Sequence, residues 1–534
     1  MGIYLNPGNQ MFQESLDSEI YVDKSTLITY TNRVLSTRQK YVCISRPRRF
    51  GKSMAAQMLA AYYDRSCDSA GQFDGLAVTS DPSYERHRNR YNVIQLNMQN
   101  FLSQGKDVDG MIRRIEIRLC YELSVENPEV VFLDASDFFM CMEDVYTQTK
   151  IPFIIIIDEW DCIFRIHQED DEAQKKYLDY LRNLLKDQPY VALAYMTGIL
   201  PVKKYGQHSA LNMFTEVSMT NPRELARETG FTKEEVMALC ERYDMPYEEE
   251  KHWYDGYNLR GISVYNPRSV VMSMTGHDFD NYWTQTETFE ALRVYIEMDF
   301  DGLREKVIRM IAGERIPINT EKFQNDMRSL STADDVLTLL IHLGYLTYDF
   351  ETNEVWIPNN EVQKEFINCI EDRGWEIVMK EIRASEGLTK SLLRGEEDAV
   401  AAAVEAAHDR FSSIFAYNDE NTLASILVLA FYAARKGHVL QREYASGKGY
   451  ADLVLIPRPG KGGPAIVLEL KMDEAVSTAI DQIRERNYPQ LLLEYSGEIL
   501  LCGISYNRKT KAHACRIERL EKTSPAPGGT GLSV

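Results

Sequence analysis

No stretch of this chain is apolar for long enough to cross a bilayer. The longest such run, Leu423 to Ala434, is interrupted by Ser425 and stopped by Arg435-Lys436, well short of the roughly 20 residues that a spanning helix needs. The opening Met-Gly-Ile-Tyr-Leu-Asn-Pro-Gly has no basic region and no apolar region, so no secretory leader is expected. Cysteine is sparse: nine residues, odd in number, scattered, without one C-x-x-C pair. That excludes a disulfide framework and a cysteine zinc site, and reads as reduced thiols in a cytoplasmic protein. Positive charge is in the minority, with 60 Lys and Arg against 80 Asp and Glu, a net charge of −20. An acidic balance argues against a general coat of nucleic-acid binding and leaves contact to local patches. Lys40 to Lys52 is one basic patch. Arg508-Lys509-Thr510-Lys511 is another, and reads better as a solvated face.

At 534 residues, 44% hydrophobic and 26% charged, the chain is too long for one core and predicts three or four domains. Its most informative stretch is Ser45-Arg46-Pro47-Arg48-Arg49-Phe50-Gly51-Lys52-Ser53. An apolar strand, 41–45, runs into it and a helix-forming run, 53–62, runs out, which is the context of a phosphate-binding loop. Backbone N–H groups at the helix start form an anion site. Gly51 lets the backbone approach the phosphates, Lys52 reaches the β/γ oxygens and the Ser53 hydroxyl suits Mg²⁺. The usual first glycine is missing, because Arg46 stands there.

About a hundred residues on, Pro152-Phe-Ile-Ile-Ile-Ile-Asp158-Glu159 reads as a strand buried on both faces and ending in acids. Asp158 is placed to hold the Mg²⁺ shell, and Glu159 to orient or deprotonate an attacking water. A third apolar strand, 190–197, ends in Thr197, either a γ-phosphate sensor or a cap of the next turn. Strand–helix alternation to about residue 220 predicts a parallel sheet with helices on both faces.

Beyond 221 the pattern turns helical. Thr232-Lys-Glu-Glu235 is a capping box for a helix to about Arg242, and the aromatic stretches 253–257 and 264–269 read as turns with a packing role. A helix over 334–343 followed by 346–349 and 355–358 has the pattern of a winged helix, here read as packed on the nucleotide domain. Residues 376–410 are expected to form connecting helices.

The last part carries a second constellation. Two strands, 450–456 and 465–471, are joined by a Pro/Gly turn. Glu469 and Lys471 lie two apart and so share a face, onto which Asp452 can converge. Carboxylates interrupting apolar strands are costly unless compensated, and two of them together suit Mg²⁺ or Mn²⁺. Such an ion activates water against a phosphodiester, with Lys471 neutralising the transition state.

With both constellations placed, the chain resembles bacterial and archaeal AAA-ATPase-like proteins fused to a PD-(D/E)XK nuclease domain. The carriers are Tyr21-Val-Asp-Lys24, Arg46 to Ser53, Ile157-Asp-Glu159, Thr197-Gly198, Trp253 to Tyr257, Tyr265-Asn-Pro267, Gly344-Tyr-Leu346, Ile357-Pro-Asn359, Asp452, Glu469-Leu-Lys471 and Gln482 through Tyr488. The family's loop also has Arg-Pro-Arg-Arg-Phe-Gly-Lys-Ser, so the resemblance removes the objection of the missing glycine. It implies phosphate and Mg²⁺ at Lys52 and Ser53 and a second ATPase motif of Asp158 and Glu159, while Arg48, Arg49, Phe50, Gly51 and Thr197 are further expected nucleotide contacts. It also implies a nuclease centre of Asp452, Glu469 and Lys471, with Glu420 as an extra metal ligand. Trp160 replaces the tyrosine that often follows Asp-Glu, with little expected consequence.

The expected fold is α/β. It comprises a RecA-like P-loop NTPase domain (1–220), a helical and winged-helix-like region (221–375), a helical connector (376–410), a restriction-endonuclease-like α/β domain (411–522) and a disordered tail (523–534). The expected partners are ATP and a nucleic acid, with no membrane, and self-association is a further expectation. The alternative is a signalling NTPase switch whose C-terminal domain binds without cutting.

Overall fold

The computed structural model describes residues 2–202, 211–283, 292, 294–296, 300–323, 330–371, 376–411, 419–446, 449–458, 461–486, 492 and 498–521. The expectations for the tail 523–534 and for Asn487 and Tyr488 lie outside the described residues. The chain divides into two compact units, residues 1–295 with 317–364, and residues 296–316 with 365–534.

The first unit is built on five strands: β1 (Tyr41–Ser45), β2 (Asn92–Asn97), β3 (Phe153–Asp158), β4 (Val191–Gly198) and β5 (Thr215–Val217). They lie in the order β2-β3-β4-β1-β5, and every pairing is parallel. Every residue of β1, β3 and β4 is buried, because helices cover both faces. That is why these strands read as unbroken apolar runs. The helix Lys52–Tyr63 packs Leu59, Tyr62 and Tyr63 with Val42, Ile44, Ile154 and Ile156 in one core cluster. All five strands present their carboxyl ends to the same edge, where open parallel sheets bind ligands.

Of the residues expected as a middle region, 221–295 and 317–364 belong to this same unit. The capping box forms as read: Thr232 Oγ1 accepts from Glu235 N, and Glu235 accepts from Thr232 N. Glu235 also takes Lys24 Nζ at 2.7 Å, which gives the Tyr21-Val-Asp-Lys24 segment a structural purpose. The predicted wing is a helix, Ala333–Leu343, and an antiparallel pair, Thr347–Asp349 with Glu354–Trp356. It packs on the phosphate loop. Gly344 has φ +89°, and a Cβ there would lie 2.7 Å from the Pro47 side chain. Tyr257 Oη donates to Gly344 O at 2.8 Å. Gly256, the turn glycine, has φ +115° and leaves only 2.1 Å between a built Cβ and Pro358 O, so no larger residue fits.

The second unit holds a five-stranded sheet of His438–Ser446, Gly449–Pro457, Ala465–Met472, Glu498–Tyr506 and His513–Glu521, in that spatial order. Only the middle pair, 465–472 with 498–506, is parallel, and the helix Val476–Glu485 makes that crossover. The strand His438–Ser446 was not anticipated. Its polar centre, Gln441-Arg-Glu443, hides the alternation, and Glu443 breaks it with φ +47°. The helices expected as a connector, Glu376–Arg394 and Glu397–Phe411, pack in this unit, where Arg410 pairs with the buried Glu381. Residues 296–316 fold here too: Glu314 is buried, accepts from Ser425 Oγ and lies 3.5 Å from Arg442.

Candidate nucleotide and nuclease sites

The loop after β1 turns through two left-handed residues, Arg49 (φ +70°) and Gly51 (φ +81°), before the helix starts. Lys52 Nζ donates back to the carbonyls of Arg46 (3.0 Å) and Pro47 (2.8 Å), so the loop curls around its own lysine. Burial lowers the Lys52 pKa, opposed by Glu159 and Asp158. Ser53 Oγ donates to Asp158 Oδ2 at 2.7 Å. The hydroxyl and carboxylate chosen independently for Mg²⁺ therefore meet across β1 and β3, 105 residues apart.

Beside them opens a cleft of about 710 Å³, lined by Arg48 through Ser53 and Glu159 and also by Lys24, Glu228 and Arg268. That size suits a small-molecule ligand, and its cations outnumber its acids. Arg49 Nη1 donates to the carbonyls of Tyr282 (2.8 Å) and Trp283 (3.1 Å). The Phe50 ring is buried edge-on against Tyr257, with centroids 5.2 Å apart. Phe50 thus anchors the loop to the hairpin β7 (Tyr257–Leu259) and β8 (Ile262–Tyr265), which pairs with β6 (Phe231–Thr232).

Thr197 departs from its expected role. It is fully buried and its hydroxyl donates to Asp158 Oδ1, so it stands behind the carboxylate and outside the cleft lining. Asp158 is held by hydroxyls from both sides, Ser53 on one oxygen and Thr197 on the other.

Arg46 explains how a loop without the first glycine can exist. Its guanidinium is fully buried and donates to Thr229 Oγ1 (3.1 Å), Ser45 O (3.1 Å) and Val217 O (3.3 Å). It ties β1, β5 and the 229 turn together where a glycine would leave space. Burial lowers its pKa to about 10.

In the second unit, the register Leu453↔Leu468, continued by one residue, sets Asp452 beside Glu469. Asp452 Oδ2 accepts from Leu470 N at 2.7 Å. Glu469 is 1% exposed, accepts from Gln482 Nε2, and has Lys471 Nζ 3.5 Å from its Oε1. Its Oε2 is buried with no hydrogen-bond partner. Burial first, then the charge of Asp452, pushes the Glu469 pKa up to about 7. Burial raises Asp452 too, Glu420 adding to the rise and Lys471 and Arg442 opposing it. Two carboxylates destabilised in their charged forms, one with an unsatisfied oxygen, fit a divalent cation, which commonly takes one or two protein carboxylates and fills its remaining positions with water. Glu420 stands exposed in the first turn of the helix Glu420–Ala430. Among the described residues no three acids, histidines or cysteines group closely enough to hold a metal, so Glu420 completes no three-residue ligand set with the other two.

Two known families match parts of this chain. Residues 8–207 match a family described as predicted AAA-ATPase, and residues 418–514 match the PD-(D/E)XK nuclease superfamily. The chain joins an AAA-ATPase-like domain to a PD-(D/E)XK nuclease domain. A relative is an uncharacterized protein from the vnfD 5′ region of Azotobacter chroococcum mcd 1. It is 22% identical over 93% of this chain and 94% of its own length. Among solved structures, the Aeropyrum pernix ORC2 protein in ADPNP-ADP complexes aligns at 10% identity with a TM-score of 0.28, covering 68% of this chain and 98% of that one. Cdc6p of Pyrobaculum aerophilum aligns at 9% identity with a TM-score of 0.23, covering 68% and 98%. Overlaps of that extent carry no weight for function.

In the AAA-ATPase-like domain, the residues that motif reading passed over are Arg165 and Asp161. Glu159, at φ +56°, is ion-paired with Arg165. Arg165 also lies 3.3 Å from Asp161, which is fully buried and accepts from the N–H groups of Ile199 (3.0 Å) and Leu200 (2.8 Å). A third acid just after Asp158-Glu159, with an arginine four residues on, was the available signal. Trp160 is fully buried, and its carbonyl accepts from Tyr177 Oη at 2.8 Å. In the nuclease domain the addition is Arg442, which donates to Asn421 and Ser425 on the helix that carries Glu420.

Proposed function

We propose that this protein is an ATP-dependent or ATP-gated nuclease acting on DNA or RNA. For the nucleotide half, the carrying observation is the Ser53–Asp158 contact at the edge of a cation-lined cleft. Backbone N–H groups of the loop and Lys52 would bind the phosphates, Arg48 and Arg49 adding positive charge, while Ser53 and Asp158 would hold Mg²⁺. Thr197 fixes the orientation of Asp158. Glu159 is the base that would take a proton from the attacking water. In the structure it is engaged by Arg165 instead, which favours hydrolysis that is gated.

For the nuclease half, the carrying observation is Glu469, buried beside Asp452 with one oxygen unsatisfied. Asp452 and Glu469 would hold Mg²⁺ or Mn²⁺, with Glu420 at the rim. When bound, the ion supplies an activated water and charge neutralisation at the phosphodiester. Gln482 orients Glu469, and Lys471 places a cation where negative charge develops.

Hydrolysis of ATP and cleavage of nucleic acid, measured on wild type and Lys52→Ala, test this reading. Loss of ATP turnover in the variant with cleavage changed in step supports coupling. Full ATP turnover in Lys52→Ala would overturn the nucleotide site.

A further inference from the structure

The segment 296–316 belongs to the second unit, although residues 295 and 317 on either side of it belong to the first. Its helix Leu303–Ile311 buries Leu303, Val307, Ile308, Met310 and Ile311 and is followed by Gly313, at φ +83°. That turn folds Glu314 back on the helix, its N–H donating to Arg309 O at 3.0 Å. Glu314 is 7% exposed. Its Oε2 accepts from Arg309 Nε at 2.9 Å and lies 2.8 Å from Arg309 Nη2. Its Oε1 accepts from Ser425 Oγ and lies 3.5 Å from Arg442 Nη1. Arg442 in turn donates to Ser425 Oγ (3.0 Å) and Asn421 Oδ1 (2.9 Å), both on the helix Glu420–Ala430.

The Arg442 side chain is only 11% exposed, and a cation so far from water needs an opposite charge. Two sources of one lie near it. Glu314 is the first. The second is the nuclease centre, because the strand register sets Arg442 opposite Leu453, the neighbour of Asp452. The charge of Arg442 also opposes the raised pKa of Asp452, while Glu420 adds to the rise. A guanidinium paired with Asp452 or Glu420 would occupy oxygens that a divalent cation needs and would repel the ion. Building on the nuclease reading above, we propose that Glu314 is a positioning residue of that centre. It holds Arg442 against Asn421 and Ser425 and off the carboxylates of Asp452 and Glu420, which stay open to metal.

Calorimetric titration of the full chain with Mn²⁺, without nucleotide, tests this, the nuclease site being the binding that Asp452→Ala removes. Glu314→Gln keeps the volume and an acceptor for Ser425 but releases Arg442, whereas Arg309 retains Glu305 at 3.9 Å. Binding at the site should weaken by about tenfold or more, the effect of losing an outer-shell partner of a metal ligand. Removing the released charge as well, in Glu314→Gln with Arg442→Gln, should bring the affinity back to that of wild type. A merely structural role for Glu314 predicts the reverse, since the double variant has lost more of the network. Wild-type affinity in Glu314→Gln, or a double variant as weak as the single one, would overturn the proposal while leaving the metal site intact. A wild type with no Mn²⁺ binding that Asp452→Ala removes would overturn the site and this role together. Thermal unfolding of each variant separates loss of metal from loss of fold, and recovery in the double variant cannot arise from an unfolded chain.

Discussion

Replacing Glu469 with Gln should make the metal-free protein more stable while abolishing its response to Mg²⁺. The side chain is buried beside Asp452 with one oxygen unsatisfied, and its pKa is raised from 4.5 to about 7. A carboxyl whose pKa is raised on folding binds its proton more tightly in the folded state than in the unfolded one. Stability is then lost as pH rises from about 4.5 through about 7, and the loss is complete above that. A displacement of this size corresponds to about 3 kcal/mol at pH 8, an upper figure because relaxation around the charge reduces it. Gln keeps the volume and can still accept from Gln482 Nε2, but carries no charge to bury. Thermal unfolding at pH 5 and pH 8, with and without Mg²⁺, reads this directly. At pH 5 most of the difference between the two proteins should be gone. At pH 8 without metal the variant should be the more stable. Mg²⁺ should stabilise wild type at pH 8 and leave the variant unmoved. A variant no more stable than wild type at pH 8, or one that Mg²⁺ stabilises equally, would refute the reasoning.

Three further outcomes follow from the same structure. Arg165→Ala removes the partner of Glu159, so ATP turnover should rise by about tenfold at unchanged KM, inside the range a general base supplies; steady-state kinetics showing a fall would make Arg165 a contributor to catalysis or fold. Gly256→Ala drives a Cβ into Pro358 O at a backbone angle disfavoured for other residues, and should cost about 2 kcal/mol or more in denaturant unfolding; an unchanged midpoint would contradict that packing. Metal affinity at the nuclease site should rise with pH up to about 7 and flatten above, since binding must displace the proton of Glu469; calorimetry at pH 6 and pH 8 would show the difference, and equal affinities would exclude that proton.

Much of this was legible in the chain because the sites lie where local pattern and chemistry coincide. Gly-Lys-Ser between an apolar strand and a helix, and Ile-Asp-Glu closing a strand, needed no tertiary knowledge, and the fold brings Ser53 to Asp158. Asp452 and Glu469 stood out because each interrupts an apolar strand. What stayed hidden depends on contacts distant in sequence. Thr197 reads the same whether it faces a phosphate or a carboxylate, and only the parallel register of β3 and β4 puts it on Asp158. Arg46 looked like a defect in a glycine loop, until Thr229 and Val217 emerged as its partners. The strand His438–Ser446 escaped because a strand bearing Gln-Arg-Glu at its centre shows no alternation. The helices of 376–410 read as a linker since only packing reveals which unit they belong to.

The central claim, that the second unit cuts nucleic acid at Asp452 and Glu469 under control of the first, is tested most directly by a cleavage time course. Linear DNA, circular DNA and single-stranded RNA would be offered with Mg²⁺ or Mn²⁺, with and without ATP, to wild type and to Asp452→Ala. Cleavage by wild type that changes with ATP, and its loss in Asp452→Ala with ATP hydrolysis intact, is the predicted result. Cleavage by Asp452→Ala at the wild-type rate, or no cleavage of any substrate by a wild type that hydrolyses ATP, would contradict the account; the second outcome would point to a nucleotide switch whose C-terminal domain binds without cutting.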